Sequence, residues 1–565
     1  MASAQANPDV FVENFSEALA SVVSLHNLLL MAAGVMAGLI AGAIPGFTIT
    51  MAVVLTLPFT FGMAAVEGLS TMIGVYVGAL TGGLFACALI GIPGTPSSIA
   101  TTFDAFPMAR SGRIGLALGL GIWASFFAGI ISAVLLSLLA PTLAIIGLEF
   151  GPWDFFALVI FSLTMAASLS GEALVKGLIA AVLGLLFASF GDDPINSVAR
   201  FTFGSDELRA GFDFLPVLVG LFAFSQLLTD LGDPVAAKVP MLKRGTKVAR
   251  VDHWSGIVET LRRWPTLIRS TLIGLFVGIL PALGGSISTI LAYDQEKKFS
   301  PNPERFGTGI PEGVIASEAG NNATAGGALI TMMALGIPGD IVTAIMLGAL
   351  TIHNVAPSPT FISTQPVLAY SIFIAYFLAN FVTLATQGVC LRAFIILMRI
   401  PMYAMASVIL AYCAIGVFSL NNSLFDIWVL LGFGLLGYGM TRCGFPLTPM
   451  ILGVVLGSLA ETNLSRSLAT SSDLTLFFTR PWALFFLLLS VFSIVFPWYQ
   501  KQRETARWAT FYVPAMCLAL AVPLLMMEAW VRSAGGAALI GLGLWMIWKR
   551  ITQARGAAAE RKPPA

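Results

Sequence analysis

From Ser21 to Ala43 the chain runs without one Asp, Glu, Lys or Arg, and stretches of similar length free of these residues recur throughout its 565 residues. About 20 apolar residues cross the hydrocarbon core of a bilayer as a helix, and backbone in lipid must satisfy its own hydrogen bonds. The expected fold is an all-α polytopic membrane protein. Composition agrees, with 57% hydrophobic and 10% charged residues against roughly 25% charged in a soluble domain. Thirty basic and 29 acidic residues leave a net charge of +1, which provides no basic surface for nucleic acid. Cys87, Cys390, Cys413, Cys443 and Cys517 lie in or beside apolar segments. Without metal-site spacing they read as small core residues.

Ser21–Ala43 is too long for the apolar core of a secretory signal. Asp9, Glu13 and Glu17 precede it where a signal would carry Lys or Arg, so it is expected to remain as a span. No Lys or Arg precedes Arg110. The positive-inside rule therefore predicts the N-terminus outside and the Arg110/Arg113 loop inside, separated by an odd number of crossings. Ser21–Ala43, Phe47–Met63 and Leu69–Ile92 supply three. Ile114–Leu139, Phe155–Ala167, Ala173–Phe190 and Phe214–Leu228 then lead to a polar segment holding Lys238, Lys243, Arg244, Lys247, Arg250, Arg262 and Arg263, which this parity also puts inside. Further segments begin near Thr266, Gly313, Ile341, Pro366, Met402, Ile427, Pro446, Leu484, Phe511 and Ala537. Alternation leaves Arg392, Arg399, Arg442, the Lys501/Arg503/Arg507 cluster and the tail from Lys549 inside. The Tyr293–Pro311 loop, with Lys297, Lys298 and Arg305, falls outside. Gly and Pro interrupt several segments, so some are expected to be re-entrant hairpins, bringing the crossings down to about 12.

Glycine and proline also mark a duplication. Gly38-x-x-x-Gly42-Ala43-Ile44-Pro45 recurs as Gly274-x-x-x-Gly278-Ile279-Leu280-Pro281. Gly82-Gly83 followed by Gly91-Ile92-Pro93-Gly94 recurs as Gly326-Gly327 followed by Gly336-Ile337-Pro338-Gly339, with one more intervening residue. The expected organisation is a polar N-terminal segment (1–20), a first repeat (21–229), a basic cytoplasmic linker (230–265), a second repeat (266–500) and a C-terminal extension with two apolar segments and a basic tail (501–565). Seven crossings before the second copy make it an inverted-topology repeat, an arrangement of secondary transporters whose broken helices meet near the midplane. Gly-x-x-x-Gly alone is commonly helix packing. Gly-Ile-Pro-Gly breaks a helix, because Pro lacks the N–H and Gly permits unusual dihedrals. Backbone freed at membrane depth must be buried in protein or line a wet cavity.

Glu318, Asn321 and Asn322 share one helix face, with Thr324 close by. A carboxylate at the bilayer centre costs on the order of 2.5–3.5 kcal/mol and is expected to face a cavity or partner. Glu318, Asn321, Asn322 and Thr324 form a hard-oxygen set suited to a coupling ion, Na⁺ or H⁺; capping of a helix at the interface is the structural alternative. Half-helices at the breaks can hold carboxylates through free N–H groups and positive dipole ends. The predicted substrate-binding residues are Gly46, Thr48, Thr50, Gly91, Pro93, Gly94, Thr95, Ser97, Ser98, Ser286, Asn322, Gly336, Pro338 and Gly339, with Ser288 and Thr289 as further donors. Asp104 reads equally as a solvated loop residue, a partner of Arg110 or Arg113, or a functional group. Asp340 reads as a helix cap, and Asp192-Asp193, Asp206 and Glu207 as loop acids. His26, His253 and His353 form no metal motif, and no cofactor or resident metal is expected.

The chain resembles the large permease subunit of the tripartite tricarboxylate transporter family over about residues 20–500. The matching pieces are Gly42-x-x-Pro45-Gly46, Gly82-Gly83 with Gly91-Ile92-Pro93-Gly94, Thr101 with Asp104-x-x-Pro107-Met108-Ala109, and Ala292-Tyr293 with Glu296-Lys297. They continue through Phe306-Gly307, Glu312-Gly313, Glu318-x-x-Asn321-Asn322-Ala323, Gly326-Gly327 and Leu335-Gly336-Ile337-Pro338-Gly339. The resemblance implies a bacterial inner-membrane carboxylate transporter driven by an ion gradient. It also implies two partners, a small multi-span membrane subunit and a periplasmic solute-binding protein. A passive channel or scaffold subunit is the alternative, and a lipid or prenyl transferase using Asp192-Asp193 a more distant one.

Overall fold

The computed structural model describes residues 8–560, apart from 170–172, 194, 233–249, 282, 398–399, 504, 507 and 528. Lys238, Lys243, Arg244 and Lys247 of the expected linker, Arg399, Arg507 and the end of the basic tail lie outside the described residues. The chain opens with α1 (Pro8–Val23), α2 (Leu25–Ala43), α3 (Ile49–Thr60), α4 (Ala65–Ile90), α5 (Ile99–Met108), α6 (Ile114–Gly147), α7 (Pro152–Ser168) and α8 (Leu174–Ala188). After a two-residue antiparallel pair, β1 (Gly191–Asp192) and β2 (Ala199–Arg200), come α9 (Phe214–Leu218), α10 (Ser225–Leu231), α11 (His253–Arg262), α12 (Trp264–Ile279), α13 (Gly284–Phe299), α14 (Pro311–Leu335), α15 (Ile341–Ile352) and α16 (Phe361–Thr364). The remainder is α17 (Pro366–Leu397), α18 (Met402–Asn421), α19 (Leu424–Arg442), α20 (Leu447–Thr470), α21 (Leu476–Thr479), α22 (Pro481–Gln502), α23 (Ala509–Leu525) and α24 (Trp530–Glu560). Nine helical runs among the described residues are long and apolar enough to cross a membrane. The protein is an all-α polytopic membrane protein, as composition predicts.

Two compact units divide the chain: Met1–Glu149 with Phe201–Cys443, and Phe150–Arg200 with Gly444–Ala565. This partition cuts across the sequence repeat, since each unit draws helices from both halves.

In the first unit, α2 and α4 touch backbone to backbone. A Cβ on Gly34, Gly38 or Gly42 would collide with the carbonyl oxygen of Thr71, Val75 or Ala79, and one on Gly74, Gly78 or Gly82 with that of Met31, Val35 or Leu39. Partner numbers rise together, so α2 and α4 run parallel and α3 carries the chain back between them. The second copy repeats the seam: Gly274 lies against Gly320 O, Gly278 against Thr324 O and Gly327 against Leu275 O. Small residues at these positions allow the close approach. Gly278→Val should therefore force α12 from α14, costing about 3 kcal/mol or more as an overpacked site. Loss of the monodisperse peak in fluorescence-detected size exclusion would check this.

The structure corrects the register of the duplication. A Cβ on Gly94 would meet Gly42 O and the Cα of Gly83, while one on Gly339 would meet Gly278 O and the Cα of Ala328. Gly83 therefore matches Ala328, and Gly82 matches Gly327 rather than Gly326. The extra residue between glycine pair and break disappears. Repeated Gly and Ala in α14 allowed the one-residue slip, which only backbone contacts resolve.

Hydrogen bonds between the copies run in opposite order. Passing along α4 into α5, Tyr76 bonds Asp340, Thr81 bonds Asn322, Thr101 bonds Glu318, and Asp104 bonds Gly309. The matched helices α4 and α14 are thus antiparallel, and the repeat is inverted.

A hairpin replaces the single span expected to begin near Thr266. Leu280 leaves the helical region before Pro281, and α12 and α13 double back so that Glu296 accepts from Thr266 (2.7 Å) and Arg269 (2.5 Å). Arg263 reaches Glu312 (2.7 Å), and Arg113 donates to Gly309 O (3.2 Å). The Tyr293–Pro311 loop therefore lies at the same end as Arg113 and Arg263, correcting the alternation that assigned it to the opposite side. Likewise, the 12 residues of α3 reach about 18 Å, short of the ~30 Å hydrocarbon core. Ser24 separates α1 from α2 and caps α2, so the first span starts at Leu25. Cys443 is exposed while the other four cysteines are buried.

In the second unit, buried Asp154 joins α7 to α22 by accepting from Arg480 (2.7 Å) and the Ala483 N–H (3.0 Å). Arg200 pairs with Glu461. Asp193 accepts the Ile195 N–H (2.9 Å), and this bond holds its carboxyl below the usual range. Asp193 thereby organises its own surface turn.

Candidate functional site

Both breaks have the same local construction. Gly91 (φ +72°) and Gly336 (φ +69°) end α4 and α14 in the left-handed conformation, donating to Cys87 O and Met332 O. This is the αL termination that glycine accommodates without steric cost. After the proline the chain resumes as Thr95-x-x-Ser98 in one copy and Asp340-x-x-Thr343 in the other. Ser98 Oγ accepts the Thr95 N–H (3.2 Å), and Thr343 Oγ1 accepts that of Asp340 (3.0 Å).

One substitution makes the two breaks electrostatically different. Asp340 Oδ1 accepts the Thr343 N–H (2.8 Å), capping α15, and Oδ2 accepts from the buried Tyr76 hydroxyl. The positive end of that helix already holds a carboxylate. At the first break the corresponding residue is neutral Thr95, whose hydroxyl lies 3.1 Å from Ser97 Oγ. Cap formation by Asp340 agrees with its sequence reading.

On α14, facing α5 and α6, Glu318 is completely buried. Thr101 Oγ1 donates to Oε1 (2.7 Å) and Ser125 Oγ to Oε2 (2.8 Å). No Lys, Arg or His pairs with Glu318 among the described residues. Burial of a carboxylate is costly, and among the described residues these two hydroxyl donors are what offsets that cost. Asn322 is saturated: its amide nitrogen donates to Ser125 Oγ (2.8 Å) and Glu318 O (3.2 Å), and Oδ1 accepts from Thr81 (3.0 Å). Asn321 differs. Its Nδ2 donates to Leu80 O (3.0 Å), which fixes the amide orientation, and its buried Oδ1 has no hydrogen-bond partner among the described residues. A Cβ on Gly285 would lie 2.8 Å from Ser97 Cβ and 3.1 Å from Asn321 Oδ1. The first break, the start of α13 and Asn321 therefore converge on one point.

The site gathers Gly94, Thr95, Ser97, Ser98, Glu318, Asn321 and Asn322, with Ser286 beside Gly285 at the start of α13. Other predicted residues stand elsewhere. Thr48 caps α3 through the Met51 N–H (3.1 Å), and Thr50 is buried within that helix. Gly46 (φ +90°) faces Asp230, so its turn presents an acid to any incoming anion. Thr324 bonds back to Gly320 O (2.8 Å) on the α12 side of α14. Gly336, Pro338 and Gly339 form the break that Asp340 already caps.

Asp104 is neither solvated nor bound to Arg110 or Arg113 in the described structure. It is fully buried and accepts from Tyr293 Oη (2.8 Å) and the N–H groups of Gly307 (3.1 Å), Gly309 (2.7 Å) and Ile310 (3.0 Å). Proximity to Arg110 in sequence concealed this tie to the loop before α14.

Sequence reasoning also missed a polar row in α17. Tyr376, Asn380, Thr383 and Gln387 are all buried, and their i, i+4, i+7, i+11 spacing places them on one face. Tyr376 Oη donates to Asn322 O (3.1 Å) and lies 2.9 Å from Ser132 Oγ. Helical periodicity within the Pro366–Leu397 run was the available signal.

A family profile described as "Tripartite tricarboxylate transporter TctA family" matches residues 28–452. Two curated relatives from Agrobacterium vitis are each 33% identical. One, described as an uncharacterized 52.8 kDa protein in the TAR-I ttuC' 3' region, aligns over 485 residues, 86% of this chain and 95% of its own length. The other, an uncharacterized protein in the TAR-II ttuC' 3' region, aligns over 223 residues, 39% of this chain and 92% of its own length. No solved structure matches the chain.

Proposed function

The chain belongs to the tripartite tricarboxylate transporter TctA family, the large subunits of tripartite transporters, and from that premise we propose that it imports small di- or tricarboxylates using an ion gradient. Its partners are a small multi-span membrane subunit and a periplasmic solute-binding protein in a bacterial inner membrane. The Arg- and Lys-bearing end of the first unit faces the cytoplasm under the positive-inside rule. The beginning of α2, at the opposite end, faces the periplasm.

The observation that carries this reading is the convergence of the first break, Gly285 and the unpartnered Asn321 Oδ1 beside an unpaired Glu318. A substrate carboxylate enters at the first break, where hydroxyls and the N-terminal end of a helix offer donors without a full positive charge. Asn321 Oδ1 accepts from a substrate hydroxyl or protonated carboxyl. The second break supplies no equivalent anion site because Asp340 fills it. Glu318 carries the coupling cation, so substrate and cation charges compensate in one buried region.

Uptake into proteoliposomes containing the large and small subunits, with the binding protein added outside, tests the proposal. Gradient-dependent accumulation of an organic acid is expected, and failure to accumulate any organic acid would overturn it. Asn321→Leu should raise the apparent substrate Kd by roughly tenfold to a hundredfold, the effect of one buried polar contact made unavailable. Substrate-induced thermal stabilisation measures that change. An unchanged Kd would remove Asn321 from the substrate site.

A further inference from the structure

We propose that Glu318 is loaded with a proton through a one-water chamber formed by α4, α6 and α17, with Gln387 as its far wall. This rests on the coupling role proposed for Glu318 and deepens it by naming the ion and its route.

Gln387 is only 2% exposed, yet neither its Oε1 nor its Nε2 has a hydrogen-bond partner among the described residues. It borders a cavity shared with Thr81, Ser125, Asn380 and Thr383 that offers about 10 Å³ to the centre of a water-sized sphere, enough for one water. The protein already uses several donors lining this space. Thr383 donates to Ala379 O (2.7 Å), Asn380 Nδ2 to Tyr376 O (2.7 Å), and Thr81 to Asn322 Oδ1 (3.0 Å). A water both accepts from Gln387 Nε2 and donates to its Oε1. Sodium would satisfy Oε1 but oppose the positive face of the amide N–H.

Ser125 links the chamber to Glu318. Its hydroxyl donates to Oε2 (2.8 Å) and accepts from Asn322 Nδ2 (2.8 Å), leaving a second lone pair. A hydronium in the chamber protonates that lone pair as Ser125 releases its own proton to Oε2. The hydronium becomes water, Ser125 remains a hydroxyl, and the carboxylate becomes a carboxylic acid. One proton is moved. On the other side, Thr101 has one hydroxyl proton between Glu318 Oε1 (2.7 Å) and Ser317 Oγ (3.1 Å). Rotation of these hydroxyls accommodates either form of Glu318. The surrounding titratable groups are Cys87 on α4, Tyr376 on α17 through Asn322, and Asp104 farther along α5. None supplies a positive charge to neutralise a permanent carboxylate.

Infrared spectroscopy of the reconstituted full chain tests this without a transport assay. Wild-type protein should show a carboxylic C=O band that disappears in Glu318→Gln and shifts on transfer to D₂O. Gln387→Leu, which fills the chamber and removes the amide, should slow that shift by roughly tenfold, equivalent to about 1.4 kcal/mol in activation free energy. Thr383→Val should slow it in the same direction and carries the test if Gln387→Leu fails to fold. Absence of a Glu318 carboxylic band at every pH where the protein is folded would overturn proton loading. Wild-type exchange in a folded Gln387→Leu variant, or in Thr383→Val when only that variant folds, would overturn the chamber. Uptake assays separately address the transporter reading.

Discussion

Asp104→Ala should destabilise the protein by about 3–5 kcal/mol, because several buried donors lose one common acceptor and each unmade bond costs roughly 1–3 kcal/mol. The donors are Tyr293 Oη and the N–H groups of Gly307, Gly309 and Ile310. These penalties will not add fully because the loop can relax and admit water. Asp104→Asn should fall between wild type and Ala, since its amide retains an acceptor but turns an NH₂ toward surrounding donors. Thermal unfolding in detergent measures the loss. Limited trypsin digestion localises it: cleavage after exposed Arg305 should accelerate in Asp104→Ala. Wild-type melting and cleavage would refute the assigned role of this buried tie.

Glu318→Gln should reduce gradient-driven substrate accumulation roughly a hundredfold, corresponding to about 2.7 kcal/mol of lost coupling, while substrate exchange persists at a measurable rate. The substitution preserves side-chain volume; its amide accepts from one of the two hydroxyls that now donate to the carboxylate, Thr101 and Ser125, and the other can rotate to accept from the NH₂, so insertion and assembly should survive. On the proposed mechanism it removes the group that takes up and releases the coupling proton. Residual uptake should therefore become insensitive to the imposed proton gradient, which distinguishes uncoupling from general damage. Proteoliposomes assayed with and without that gradient provide the measurement. Retention of wild-type gradient dependence would eliminate Glu318 as the coupling group.

Membrane residence, the duplicated breaks and the burial of Glu318 among polar partners were legible because each violates an ordinary expectation for apolar helices. Continuous uncharged runs imply spans, matched Pro-Gly interruptions imply broken helices, and a carboxylate among apolar residues demands a partner. Connectivity was less accessible. Pro281 turns α12 into a hairpin with α13, and the alternation of spans carried that local error into the assignment of the Tyr293–Pro311 loop. The repeat register slipped because α14 contains adjacent small residues, while the true match depends on carbonyl positions. Asp104 was obscured by its neighbouring arginines, although its donors arrive from about 200 positions later in the chain as a long-range tertiary contact. Gln387 was overlooked because a single amide carries little signal. Its meaning emerges from the helical face shared with Tyr376, Asn380 and Thr383.

For the proposed transport role, the glycine seams constrain where a movement could be taken up. Along α2–α4 and α12–α14, main chain rests directly on main chain, so there is no side-chain layer to shear or repack. Each seam behaves as a stiff lamina that transmits displacement along its length. The crossing of α4 with α14 has a different mechanical character: hydroxyls and amides meet there, and can exchange partners after a small rotation. That crossing is a polar contact between two stiff plates, held by the Thr81–Asn322 and Leu80–Asn321 bonds rather than by interlocked main chain.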